Sequence, residues 1–548
     1  MVRLCDRLQV CIQSFQGFQS HPDLTKSLQS LILTSERIRS RTATDTELSY
    51  LLGLEFLEAT FNHCDRVVDA NRTENNPMKL ETLTFELNFL NKCLEASLNH
   101  PLNDLFNEEK GSERWKQLWS AVDYVQTADL AKLERDLAAV QQRFMTMSAS
   151  VSLGLEAKST VMRRLLVGSG LLYYKLRPEE ATIRARWSAN QPSIEFFRLV
   201  LSACESQLGQ RLYSSILPPI ALSRLIHVPK VSHHLSDPAL AELDTKRHRK
   251  KSSFALTSSI SRATVPVRVV SPFGLSGLEG EGREVGWCCS EAGPEPSRTP
   301  DKLIFHIHGG GWVCLSSATH ENHTRQWATN TRTPLLSVDY RLAPEFPYPA
   351  ALEDIWEAYI WTLRYAKTWL GLDPRKIVVA GDSAGGGLAL SLTFRALARR
   401  VRPPDGLLLV YPALSADPSR PTPSYLGGLK DPMLSAGLME LCTQSYLTED
   451  SDPSTDPYLS PIVALDSLLQ QLPPVRLITG SKDPLRDDSW RLFDRLKRLG
   501  TDVKMSLFEG MPHGTLNMDL PMGLEQAHDV VTAASDYLKE LLYLATRR

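Results

Sequence analysis

The sequence predicts an α/β protein in which helices flank both faces of a mainly parallel sheet, with a large helical region preceding it. Three observations predict this. After Lys302, short β-rich runs alternate with amphipathic stretches of helical length. Before Ile226, apolar residues recur every three or four positions. In the second half, side chains able to do chemistry follow directly after strands, where ligands of open parallel sheets bind.

The helical region, 1–226, is justified by its stripes: Leu83, Leu87, Leu90 and Leu94; Trp115, Leu118, Trp119 and Val122; Leu130, Leu133 and Leu137. It carries no catalytic motif and no fixed repeat. A polar linker is expected over 227–300, holding one strand at Ala263 to Val270 and the run Lys246 to Lys251 before Ser252 and Ser253. That run reads as a solvated loop, with a kinase site or an anionic-surface contact as the rival reading. The catalytic domain is expected over 301–548, with a cap segment at 415–461.

Composition narrows the class. At 548 residues the chain has room for two or three cores at roughly 100 to 200 residues per domain. With 42% hydrophobic and 23% charged residues, neither a disordered chain nor a coiled-coil rod fits the whole length. Lys+Arg 61 against Asp+Glu 63 gives a formal charge of −2, unlike the basic balance of a nucleic-acid binder. Nine scattered cysteines lack zinc-site spacing and imply a reducing compartment. Asp6 and Arg7 interrupt the place where a secretory leader needs apolar residues, and the run Leu165 to Tyr174 is broken by Gly168, Ser169 and Gly170. The expectation is a soluble cytoplasmic protein whose membrane contact, if any, is peripheral.

Strands are expected at Lys302 to His308, Pro334 to Tyr340, Lys376 to Ala380, Gly406 to Tyr411, Val475 to Thr479 and Val503 to Phe508. Helices are expected at Ala351 to Leu370, Leu388 to Ala398, Ser489 to Leu499 and Leu524 to Leu544. Between the third strand and the second helix stands Gly381-Asp382-Ser383-Ala384-Gly385, a Gly-x-Ser-x-Gly turn that would hold the serine hydroxyl exposed in a strained backbone. After the first strand come His308, Gly309, Gly310 and Gly311, whose bare amides suit an oxyanion as it forms, together with the amide of Ala384.

Serine at its ordinary pKa is a poor nucleophile, so it needs an imidazole base and a carboxylate that fixes the imidazole tautomer. Asp483 follows the fifth strand and His513 the sixth, while Asp487 and Asp488 lie close enough to compete with Asp483. The chain order Ser383, Asp483, His513 is that of the α/β-hydrolase fold. This chemistry calls for neither metal nor organic cofactor.

His308-Gly-Gly-Gly, Val338-Asp-Tyr-Arg-Leu-Ala-Pro-Glu345, Gly381-Asp-Ser-Ala-Gly-Gly386, Asp483-Pro-Leu and His513-Gly514 together resemble the hormone-sensitive lipase family of α/β-hydrolases over roughly Leu303 to Leu544. The resemblance implies Ser383 as nucleophile, His513 as base, Asp483 as its orienter, and Gly310, Gly311 and Ala384 as oxyanion donors. It further implies acylglycerol or sterol esters as substrates, homodimerisation, and recruitment to lipid droplets. Two departures stand out: Ser415 to Pro461 is short beside the regulatory insertion of animal members, and Gly387 stands where the family commonly has asparagine. A general carboxylesterase for short esters would share the same catalytic residues. A noncatalytic receptor on this fold typically loses the triad histidine, and His513 speaks against it.

Overall fold

The computed structural model describes residues 77–99, 113–201 except 192, 213, 215–230, 263–278 and 299–544 except 420, 430 and 522, with isolated positions between 23 and 34. The basic run Lys246 to Lys251 with its two serines, and most of the polar stretch that follows it, lie outside the described residues.

Strands β1 (Asp123–Val125), β2 (Leu222–Pro229), β3 (Thr264–Ser271), β4 (Lys302–Ile307), β5 (Leu335–Val338), β6 (Lys376–Asp382), β7 (Gly406–Val410), β8 (Val475–Gly480) and β9 (Val503–Phe508) form one sheet in the order β1-β9-β8-β7-β6-β4-β5-β3-β2. Neighbours from β1 to β5 in that order run parallel; β3 joins β5, and β2 joins β3, in the antiparallel sense. Central strands covered on both faces need continuous apolar sequence. Leu303, Ile304, Phe305 and Ile307 in β4 and Leu407 to Val410 in β7 meet that need and are fully buried.

Both edges of the sheet come from the region before residue 272. β1 extends β9, and β2, which spans the 226/227 division made on sequence, extends β3. The N-terminal region therefore contributes strands as well as helices. Its helical stripes are buried at Leu83, Leu87, Leu90, Leu118, Val122, Leu133 and Leu137, whereas Trp119 and Leu130 stay exposed. Trp119 packs from outside against Tyr124 and Trp490, with ring centroids 5.7 and 5.0 Å away.

Between β7 and β8 the cap segment folds as a 3-10 turn at Pro423–Leu429 and a helix at Ala436–Tyr446, which Ser435 caps by accepting from the Leu438 amide. The cap is fastened to the N-terminal helices. Ser435 Oγ donates to the Ala189 carbonyl at 3.2 Å, Phe89 stacks on Tyr425 at 5.6 Å, and Lys92 pairs with Glu440 at 2.8 Å. Among the described residues, no helix is long and apolar enough to cross a membrane.

Candidate active site

At the end of β6 the chain turns sharply through Ser383, with φ 53° and ψ −123°, into the helix Ala384–Ala398. A non-glycine residue in this region costs on the order of 1–3 kcal/mol and persists only where its surroundings enforce it. Here the Ser383 amide donates to the Val410 carbonyl at 3.0 Å, and the Ser383 carbonyl accepts from the Ala413 amide at 2.9 Å. Gly385 lets the new helix approach β4: a Cβ there would lie 2.0 Å from the Ile307 carbonyl oxygen. At Gly387 a Cβ would lie 2.2 Å from the Ala413 carbonyl oxygen, so an asparagine could enter only if that backbone shifted.

The structure brings Ser383, His513 and Asp483 into one hydrogen-bonded chain. His513 Nε2 stands 2.9 Å from Ser383 Oγ, and His513 Nδ1 lies 3.0 Å from both carboxylate oxygens of Asp483. With Nδ1–H donated to a carboxylate, Nε2 carries the lone pair that can accept the serine proton. Asp487 and Asp488 are engaged elsewhere: Asp487 accepts from the Ser424 amide, and Asp488 pairs with Arg491. Burial works to lower the His513 pKa, but the charge and hydrogen bond of Asp483, with the charges of Asp431 and Asp382, carry it above the ordinary imidazole value.

Two neighbours of this base escaped sequence reasoning. The Tyr411 ring sits 4.7 Å from the His513 ring, and its hydroxyl accepts from the Leu516 amide, steadying the loop that bears the histidine. Asp431, in the cap, accepts from the amides of Met433 and Leu434. Neither belongs to a spaced motif; only Tyr411's place at the end of an expected strand hinted at its location.

The glycine loop follows β4 as expected. Gly310 has φ +107°, and a Cβ on it would meet the Cys314 carbonyl oxygen at 2.0 Å, so no other residue fits without rebuilding the turn. The amides of Gly310, Gly311 and Ala384 have no hydrogen-bond partner among the described residues. His308 supports the loop: its ring stacks on Tyr340 at 4.2 Å, and the Tyr340 hydroxyl donates to the His308 carbonyl at 2.8 Å. Burial, reinforced by nearby His320, pushes the His308 pKa down to about 3, so it stays neutral.

Beneath the loop, His320 Nδ1 donates to the Ser316 carbonyl at 2.9 Å, and Nε2 lies 3.2 Å from Asp382 Oδ2. Burial opposes charge on both partners. Their mutual attraction prevails, so the His320 pKa is raised and the Asp382 carboxyl is held well below the usual range. Asp382 is thus a buried anion tied to the loop, and Gly309 passes so close that a Cβ would lie 2.6 Å from Asp382 Oδ2.

Ser383, His513, Gly310 and Gly311 open onto a cavity of about 510 Å³. Its walls are mostly apolar: Tyr425, Met433, Leu434 and Leu438 from the cap, and Phe144, Met147, Val200 and Leu201 from the N-terminal helices. Leu426, next to Tyr425 in the cap, is buried and does not line the cavity. The volume falls in the usual range for small-molecule sites, about 300–1,000 Å³.

Comparison with known proteins bears on the fold and on the family of the chain. Residues 304–517 match the family described as alpha/beta hydrolase fold. The hormone-sensitive lipase of Homo sapiens is 41% identical over 169 residues, which make up 30% of this chain and 16% of that protein. The chain thus spans only a small part of the length of that relative. An esterase of Acinetobacter venetianus is 35% identical over 247 residues, covering 45% of this chain and 74% of the esterase. A hyperthermophilic esterase from the archaeon Pyrobaculum calidifontis is similar in structure, with a TM-score of 0.48 at 27% identity, covering 64% of this chain and 94% of that one. On its motifs, its fold and these sequence relatives, the chain belongs to the hormone-sensitive lipase family of α/β-hydrolases.

Proposed function

We propose that this protein hydrolyses carboxylic esters through an acyl-enzyme on Ser383, and that its substrates are lipid esters such as acylglycerols or sterol esters. The observation that carries the reading is the 2.9 Å contact between Ser383 Oγ and His513 Nε2 at the floor of an apolar cavity. His513 takes the serine proton as the hydroxyl attacks the ester carbonyl. The tetrahedral oxyanion rests on the amides of Gly310, Gly311 and Ala384, and the alcohol departs with the proton from His513. Water then repeats the cycle on the acyl-enzyme. Each oxyanion donor contributes roughly 10² to 10³ in turnover.

The lipid part of the reading is supported by the apolar walls that the cap and the N-terminal helices raise over the serine. It includes a cytoplasmic location, peripheral contact with a lipid droplet or membrane surface, and self-association as a homodimer. Two measurements test it. Ser383→Ala is expected to fold normally and lose labelling by an organophosphate probe; continued labelling refutes the acyl-enzyme. Hydrolysis of a long-chain diacylglycerol is expected to exceed that of a butyrate ester, and the reverse order would establish a short-chain carboxylesterase instead.

A further inference from the structure

Next to the elbow, three buried side chains from separate elements converge. His306 lies on β4, His323 on the helix Glu321–Thr331, and Asp382 at the end of β6; all three are buried. One ligand atom from each lies within 4.8 Å of the others. Among the described residues, four atoms of these side chains have no hydrogen-bond partner: His306 Nε2, Asp382 Oδ1 and the two ring nitrogens of His323, one of which can serve as its ligand atom. Native interiors seldom leave buried polar atoms unmatched, and several at one place ask for a missing occupant.

We infer that this cluster is a structural site for a divalent transition-metal ion, with zinc the best-matched occupant. Imidazole and carboxylate form a borderline donor set that zinc accepts readily. Three atoms within 4.8 Å of one another share a centre no more than about 2.8 Å from each, so inward shifts of well under an ångström reach the roughly 2.0–2.2 Å of zinc–nitrogen and zinc–oxygen bonds. The gap from His306 Nε2 to Asp382 Oδ1, 3.5 Å, is long for a hydrogen bond but close to the spacing of two ligands on one tetrahedral ion.

The surrounding groups already orient the ligands as outer partners of metal sites do. His306 Nδ1 is 2.8 Å from Ser337 Oγ, which turns Nε2 toward Asp382. His320 Nε2 holds Asp382 Oδ2 at 3.2 Å and leaves Oδ1 for the ion. An ion here would bind β4, the helix Glu321–Thr331 and the elbow into one unit, adjacent to Ser383 but outside the acyl-transfer steps. The inference stands apart from the ester-hydrolase reading.

The test is metal content of the 548-residue chain. The protein would be unfolded in chelator, refolded with either Zn²⁺ or Co²⁺, and passed through a desalting column before elemental analysis and visible spectroscopy. The expected result is about one zinc per wild-type chain, at least a fivefold lower content in His323→Phe, and cobalt d–d absorption bands in the wild type. Equal zinc in wild type and His323→Phe overturns the site by showing that the ion is held elsewhere. Should His323→Phe fail to fold, the wild type still decides: refolded protein with neither bound zinc nor cobalt bands refutes the inference.

Discussion

Two helices of similar apolar content meet opposite fates. In Ala350–Leu370, Trp356, Tyr359 and Ile360 are almost wholly buried against the sheet. In Thr160–Leu176, Val161, Leu165, Leu172 and Leu176 stand 61–84% exposed. Helical periodicity identifies an element and its apolar side in both regions, but it does not say whether another element lies across from that side. In the catalytic half, the sheet supplies the opposite surface, and side chains near the serine are fixed from several directions at once.

The contrast yields predictions of decreasing size. The largest concerns the most constrained group. Asp483→Asn should leave the fold intact and lower turnover by about 10⁴, because Nδ1–H loses the acceptor that sets the tautomer. A loss below tenfold would show that the constraint is not functional. The charge of Asp483 also raises the His513 pKa, and His513 must be neutral to act as base. The wild-type rate should therefore rise with pH through a midpoint above the ordinary imidazole value of about 6.5. A midpoint at or below that value would contradict the electrostatics described for the site.

Next comes packing. Trp356→Ala should cost roughly 3–5 kcal/mol in denaturant unfolding, as expected for a large buried aromatic. Leu172→Ser, at a residue 71% exposed on the helix Thr160–Leu176, should stay within about 0.5 kcal/mol. A cost above about 2 kcal/mol there would break the comparison by showing that this face is covered in the folded chain.

The catalytic half was readable because its strands are continuous apolar runs and its functional residues sit in short motifs directly after them. Observed strand limits differ from the expected ones by a residue or two, as with β5, which is confined to Leu335–Val338. The edge strands were not readable. β1 has three residues, and β2 mixes Arg224 and His227 with apolar neighbours because an edge is only partly covered. His320, Asp431 and Tyr411 were missed for another reason. Each acts through contacts made by the fold, and no spacing in the text joins His320 to Asp382 or Asp431 to His513.

The position of β1 has a consequence for any shortened form of the enzyme. β1 lies against β9, whose end leads to His513, and just beyond it the Glu509 amide donates to the Val125 carbonyl at 3.1 Å while Glu509 Oε2 accepts from the Thr127 amide. Trimming the chain ahead of residue 130 would strip a flank from the very loop that delivers the proton acceptor. Lost turnover in such a truncate would then report a displaced imidazole rather than the absence of a detachable accessory module.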